Sequence, residues 1–176
     1  MSTFNELIDF TRSTTGTYLD SVVYGDELVT NGTFDNNIDG WTAYNAVISY
    51  DNGTIKVDDS ANAGANSSAI AAVNVEVGKT YQITAEVVST NDSAYMSFST
   101  TLSGSPSYAG GYTWNIANNK QAGVYTVELK AIASTMYIWL CANGTSVATF
   151  DNVSVKEVTG GQVSGTPLLR TAAINE

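Results

Sequence analysis

The side chains able to do chemistry in this chain are aromatic rings, amides and carboxylates, because it contains no histidine. That absence removes the commonest general base, the usual zinc ligand, and any Ser-His or Cys-His couple. Three segments carry most of what is left, and the two-residue period of a β-strand sorts their side chains. In "TMYIWLCA", 135–142, Met136, Ile138 and Leu140 form one apolar face, leaving Tyr137 and Trp139 on the other. In "AYMSFST", 94–100, Met96 and Phe98 oppose Tyr95, Ser97 and Ser99. In "TYQITAEVVS", 80–89, Tyr81, Ile83, Ala85 and Val87 oppose Gln82, Thr84 and Glu86. If these strands share one sheet, its outer face gathers Trp139, Tyr137, Tyr95, Gln82 and Glu86. The segment "SPSYAGGYTWN", 105–115, adds Tyr108, Tyr112 and Trp114 and is placed to overhang that face.

Sugar rings present apolar C–H faces, against which aromatic rings pack flat while amides and carboxylates take the hydroxyls. The mixture above suits a glycan. Tyr and Trp are also enriched at protein interfaces, so contact with a sister subunit is the competing reading, and packing beneath loops is a third. Many carboxylates are present, but no pair sits in a recognisable catalytic context, and no enzymatic activity is expected. Cys141, the single cysteine, lies in an apolar run and reads as a buried, inert thiol with no disulfide partner in the chain.

The positioning elements are strands. Charged residues are only 14% of the chain, against roughly 25% in an average globular domain. The polar surface is instead Ser, Thr, Asn and Gly, which favours strands and tight turns over helices. Strand signals fall at 28–34, 41–44, 47–50, 54–57, 68–75, 80–89, 95–101, 123–133, 136–142 and 147–158, separated by turns such as "DNG", "EVGKT" and "ANGT". Short strands at this spacing predict an all-β sandwich or jelly roll. "Asn-Gly-Thr" begins at Asn31, Asn52 and Asn143; each is formally a glycosylation sequon and reads as a turn. Residues 3–8 hold a capping-box pattern, readable as a short helix or as an arm. "TGGQVSGT", 159–166, is a linker.

With 17 acidic and 7 basic residues the net charge is −10, which excludes a basic footprint for nucleic acid and disfavours an anionic membrane. No run approaches the roughly 18 apolar residues of a membrane-spanning helix. The first residues, "MSTFNELIDFTRS", lack the pattern of a secretory signal, so synthesis in the cytoplasm without Sec export is expected.

"LVTNGTFDNNIDGWT", 28–42, resembles the opening of a family 4/9-type carbohydrate-binding module, with its Asn-Gly-x-Phe-acid turn ahead of Gly-Trp. "VEVGKTYQITAEV", 75–87, and "ATFDNVSVKEV", 148–158, are similar to that family's middle and last strands. The resemblance spans 26–158. It implies a jelly roll whose concave sheet binds glycan, Trp41 in the core, and a structural Ca²⁺ near the first and last strands. Strand parity places Asp151 with Val153 and Val155, facing inward, where a carboxylate needs a cation or several donors, and oxygen ligands suit Ca²⁺. The family pattern puts Asp35 nearby. The competing reading is that Asp151 caps backbone amides in a bulge.

The ends carry a second resemblance. "FTRSTTGTYLDS", 10–21, and "LLRTAAINE", 168–176, are similar to the two halves of a segment found in bacteriophage virion proteins, especially tail appendages. The sandwich stands where that segment has a short turn. This implies an N-terminal arm at 1–25, the sandwich at 26–158, and a linker and C-terminal arm at 159–176. Residues 17–23 and 168–173 would approach each other as the chain enters and leaves. The function implied is a non-enzymatic virion accessory protein, in capsid decoration or a fibre. Its partners would be other virion proteins and sister subunits, in a homotrimer, with glycans at the outer face. The alternative is a carbohydrate-binding module of a polysaccharide-degrading enzyme.

Overall fold

A computed structural model describes residues 22–60, 66–142 and 146–159, apart from the side chain of Tyr112. The chain divides into two compact units: Gly25–Val158, and a second formed by Met1–Tyr24 with Thr159–Glu176. Within the second, Thr159 donates its amide and its hydroxyl to the Val23 carbonyl, at 2.8 and 3.0 Å. The segments 10–21 and 165–176, and the expected approach of 17–21 to 168–173, lie outside the described residues.

Every regular element described is a strand. They are β1 (Tyr24–Glu27), β2 (Thr42–Tyr44), β3 (Val47–Asp51), β4 (Thr54–Asp58), β5 (Ser67–Asn74), β6 (Thr80–Thr90) and β7 (Ala94–Ser99). There follow β8 (Ser107–Tyr108), β9 (Gly111–Tyr112), β10 (Ala117–Lys120), β11 (Gly123–Lys130), β12 (Thr135–Ala142) and β13 (Val147–Val158). One sheet runs β11-β6-β13-β4-β3, with β1 also paired to β13; the other runs β10-β7-β12-β5-β2. A separate hairpin joins β8 and β9. The result is the expected all-β jelly-roll sandwich.

Alternation builds the core. Ile55 and Val57 from β4, Tyr81, Ile83 and Val87 from β6, and Phe150 and Val155 from β13 face Met96 and Phe98 from β7 and Met136, Ile138 and Leu140 from β12. All twelve are essentially inaccessible to solvent. Each contributes about 2 kcal/mol of apolar burial. Turn chemistry sets the register: Asn52 and Gly53, at φ 48° and 86°, form the two-residue hairpin between β3 and β4.

One expected strand is absent. Residues 28–34 form a compact turn, not a strand. At the end of β1 the Glu27 carboxylate accepts the amides of Leu28 and Val29, both at 3.0 Å, while the Leu28 amide also reaches the Val155 carbonyl at 3.0 Å. The carboxylate also accepts the Val155 amide at 2.8 Å and the Ser154 hydroxyl at 2.5 Å, fastening this turn to β13. Asn31 and Phe34 take positive φ, and Phe34 enters the core with its ring centroid 5.3 Å from that of Trp41. Trp41 is 7% exposed, a core residue as the resemblance implies.

Gly32 is required by proximity: a Cβ there would lie 2.0 Å from the Val153 carbonyl oxygen, and the Val153 amide donates to the Gly32 carbonyl at 2.9 Å. Both contacts are backbone, so no side chain can move aside. Gly32→Ala is therefore expected to destabilise the domain by about 3 kcal/mol or more, read from the midpoint of a urea melt. An unchanged midpoint would show that this turn separates from β13 at no cost.

Candidate functional site

The residues expected on one outer face divide between two. β6 belongs to the first sheet, β7 and β12 to the second. The chain changes sheets between Thr90 and Ala94, so consecutive strands with matching parity point to opposite sides of the sandwich. Gln82, opposite Glu128 and Lys156, and Glu86, opposite Val124 and Asp151, therefore lie far from the aromatic set. Tyr95, Tyr137 and Trp139 do share the outer side of the second sheet, with Trp139 opposite Ser97 and Tyr137 opposite Ser99.

Trp139 is covered there, not open. It is 0% exposed. The segment 100–116 crosses the sheet as a strap; the Thr101 carbonyl accepts the indole N–H at 3.0 Å, and the Tyr44 ring meets the indole edge-on at 5.4 Å. The strap is held down at its far side, where the Tyr44 hydroxyl accepts the Gly104 amide at 2.8 Å and the Asn66 amide donates to the Ser105 hydroxyl at 3.2 Å. Ile70 and Cys141 are buried on the same side, so Trp139 belongs to a small second core under the strap. Burial pushes the Cys141 thiol up to about 12, against a weaker downward pull from its hydrogen bond with Ser68, as an inert thiol requires.

Two rings remain open beside this layer. Tyr95 and Trp114, both half-buried, pair at 5.5 Å between centroids with planes inclined at 55°. The Tyr95 hydroxyl donates to Asn119 Oδ1 at 3.4 Å. Tyr137, also half-buried, lies four residues along β12 from Cys141, the residue opposite Tyr95, hence about 13 Å away along the strand. Tyr108 leaves the face: its hydroxyl donates to the Lys130 carbonyl at 2.9 Å. The side chain of Tyr112 lies outside the described residues. Sequence reasoning overlooked Tyr44 and Asn119; β2 parity places Tyr44 above Ser68, a signal that was legible, whereas Asn119 sits in a stretch with no strand pattern.

The carboxylates form a separate feature. Three residues of β13, beginning at Asp151, lie against two of β6, with Asn152 at φ 50°. This bulge breaks the alternation. Phe150, Val153 and Val155 all face the core, and Asp151 turns outward, contrary to the inward orientation expected from parity. Asp151 Oδ1 accepts the Asn152 amide at 2.7 Å, as in the bulge-capping alternative. The Asn152 side chain donates to Glu86 at 2.7 Å and to Asp151 Oδ2 at 3.3 Å, bridging the two acids. Asp35, whose carboxylate accepts the Thr33 hydroxyl at 2.9 Å, is near enough to add its repulsion. Among the described residues no three His, Cys, Asp or Glu are arranged as a ready metal cage.

No protein-family profile matches the chain, and no curated protein sequence matches it. Solved structures do resemble it in fold. One is a family 4 carbohydrate-binding module, with a TM-score of 0.50 and 13% identity over 73% of this chain and 99% of the module. Another is the CBM22-1–GH10 portion of Clostridium thermocellum endo-1,4-beta-D-xylanase 10B, complexed with xylohexaose. It has a TM-score of 0.50 and 16% identity over 77% of this chain and 29% of that one. The chain thus has the jelly roll of the carbohydrate-binding modules. At these identities the likeness is one of fold.

The Asp151 carboxyl titrates above its ordinary value: burial raises it, the Asn152 amide opposes, and the Glu86 and Asp35 charges raise it further. A raised acid stabilises the fold below its unfolded-state pKa, and that contribution is lost as pH rises through the folded-state value. Asp151→Asn keeps an acceptor for the Asn152 amide. In metal-free buffer the variant should melt above the parent at pH 7, with the gap closing as pH falls through the raised folded-state value and gone by about 4. A variant less stable at pH 7 would show that the ionised carboxylate is favoured.

Proposed function

We propose that the domain is a non-catalytic glycan-binding module whose contact face is the open part of the second sheet, with Tyr95 and Trp114 as the sugar-stacking pair and Tyr137 as a further contact along β12. The observation that carries this reading is the partly exposed Tyr95–Trp114 pair on a sheet whose strands carry no carboxylate. No Asp or Glu occurs in β2, β5, β7, β10, β12 or the strap, although the chain has 17 of them. Paired acids for glycoside hydrolysis are thus missing from this face, while hydroxyls and amides for sugar contacts are plentiful. The jelly roll shared with carbohydrate-binding modules supports the same reading. It favours a module over the virion accessory protein, which rests on segments outside the described residues.

The test is an oligosaccharide array that includes xylohexaose and cellohexaose, followed by titration of whatever binds. Trp114→Ala and Tyr95→Ala should each weaken binding about tenfold or more with little change in melting temperature. Trp139→Ala should instead cost about 3–5 kcal/mol of stability, since it empties the layer under the strap. Binding that survives the Tyr95/Trp114 double substitution, or an array on which the parent binds nothing, would sink this proposal.

A structural Ca²⁺ between Asp35 and Asp151, with Glu86 beside them, belongs to the same proposal. Asp35 and Asp151 would supply oxygen ligands, with water or backbone carbonyls completing the shell because no three acids converge among the described residues, and the charge repulsion that raises the Asp151 carboxyl gives a cation something to relieve. The Asn152 amide already bridges Glu86 and Asp151, so an ion must displace it. Excess Ca²⁺ should raise the melting temperature relative to chelator, and Asp151→Asn should abolish the difference. Identical melts of the parent in the two buffers would dispose of the ion.

A further inference from the structure

We infer that Asn115 is a positioning residue for the stacking pair; the inference rests on the glycan-binding reading above. Where β10 approaches β7, the pairing runs only from Ala117, opposite Met96, to Lys120, opposite Ala94, with a bulge between. One further backbone bond, from the Ile116 amide to the Met96 carbonyl at 3.1 Å, extends it. Beyond that point the chain must lift away from the sheet to carry Trp114 onto the outer face. A rising backbone no longer presents its own donors and acceptors to β7, leaving Phe98 without a strand neighbour on that side.

The Asn115 side chain replaces the missing strand. Its Oδ1 accepts the Phe98 amide at 2.8 Å, and its Nδ2 donates to the Phe98 carbonyl at 2.9 Å. One side-chain amide thus makes both bonds that a neighbouring peptide would make. Only Asn or Gln combines a donor and an acceptor in this planar form, and the extra methylene of Gln would push the chain off by more than a bond length. Ser97 adds a second tie: its hydroxyl donates to the Thr113 carbonyl at 2.9 Å, on the other side of Trp114. The tryptophan is therefore held from both flanks, and the firmer hold is Asn115. With these bonds intact the indole stays against Tyr95, and no ordering cost remains for the ligand to meet.

Trp114 can be watched directly, since Trp41 and Trp139 are 7% and 0% exposed and it is the half-exposed member of the three. Acrylamide quenching of fluorescence therefore reports chiefly on Trp114. The experiment compares Asn115→Ala, Asn115→Asp and Val57→Ala by quenching, by melting temperature, and by titration with xylohexaose, cellohexaose and any other array ligand. Val57→Ala is the control: it loosens the first sheet's core without touching the strap.

Asn115→Ala should raise the quenching constant and weaken binding about tenfold. Asn115→Asp keeps the acceptor for Phe98 but loses the donor, and should fall between Ala and the parent. Val57→Ala should lower the melting temperature while leaving affinity and quenching at parental values. An Asn115→Ala protein that is folded, binds as the parent does and quenches as the parent does would overturn the inference. So would a Val57→Ala protein that loses affinity in step with its stability, because the effect would then be general loosening. If the parent binds no oligosaccharide, the glycan reading fails by itself, and quenching alone decides whether Asn115 holds Trp114.

Discussion

The close approach of two backbones, Gly32 against Val153, is the constraint on which the rest of the architecture depends. β13 lies at the middle of the first sheet, bonded to β6 on one side and to β4 and β1 on the other. Its extra residue re-aims the strand so that Phe150, Val153 and Val155 all reach the core. The same bulge leaves the Val153 carbonyl and amide facing away from β6, where a peptide without a Cβ can meet them. The turn after β1 supplies that peptide, and Glu27 ties it down by accepting amides from the turn and from β13. Phe34 and Trp41 are delivered to the core as a result. An opening turn that looks like a surface feature is thus part of the sandwich's closure.

Burial on both sides of β12 follows a different logic. Its inner side chains, Met136, Ile138 and Leu140, belong to the main core. On the outer side Trp139 and Cys141 are equally inaccessible, because the strap lies over them. The strap contains few apolar residues of its own. It is held by polar bonds to Tyr44, Asn66, Ser97 and Ser99, each reaching from the sheet or its margin. The small hydroxyls of β7 thus hold a loop down over an indole, and Tyr95 and Trp114 are left partly exposed beside it.

Much of this was legible in the sequence, and the failures have definite causes. Alternation in β6, β7 and β12 correctly separated core from outer side chains, including the clean split of Met136, Ile138 and Leu140 from Tyr137 and Trp139. Alternation says nothing about which sheet a strand joins, so Gln82 and Glu86 were grouped with rings on the opposite surface. Nor does it say what lies above an outward residue, so Trp139 read as open. Asp151 was misplaced because a bulge shifts parity by one, and its only local sign is Asn152, a residue tolerant of positive φ. β1 and β10, "YGDE" and "ANNK", have no β-branched residues, and partner strands alone make them strands.

The distribution of charge ties the two surfaces together. The strands of the second sheet and the strap carry no carboxylate, and Lys120 is their one charged residue. Among the described residues the first sheet and the turns hold the acids, including the crowded Glu86, Asp151 and Asp35. For a chain of net charge −10 this is strong segregation. It leaves the second sheet and the strap rich in hydroxyls and without Asp or Glu. Under the proposed glycan reading, a ligand held there by stacking and neutral hydrogen bonds would lose little affinity in salt, since screening acts on charges. The repulsion within the Asp151 cluster is borne by the bulge in β13, on the other sheet from the rings.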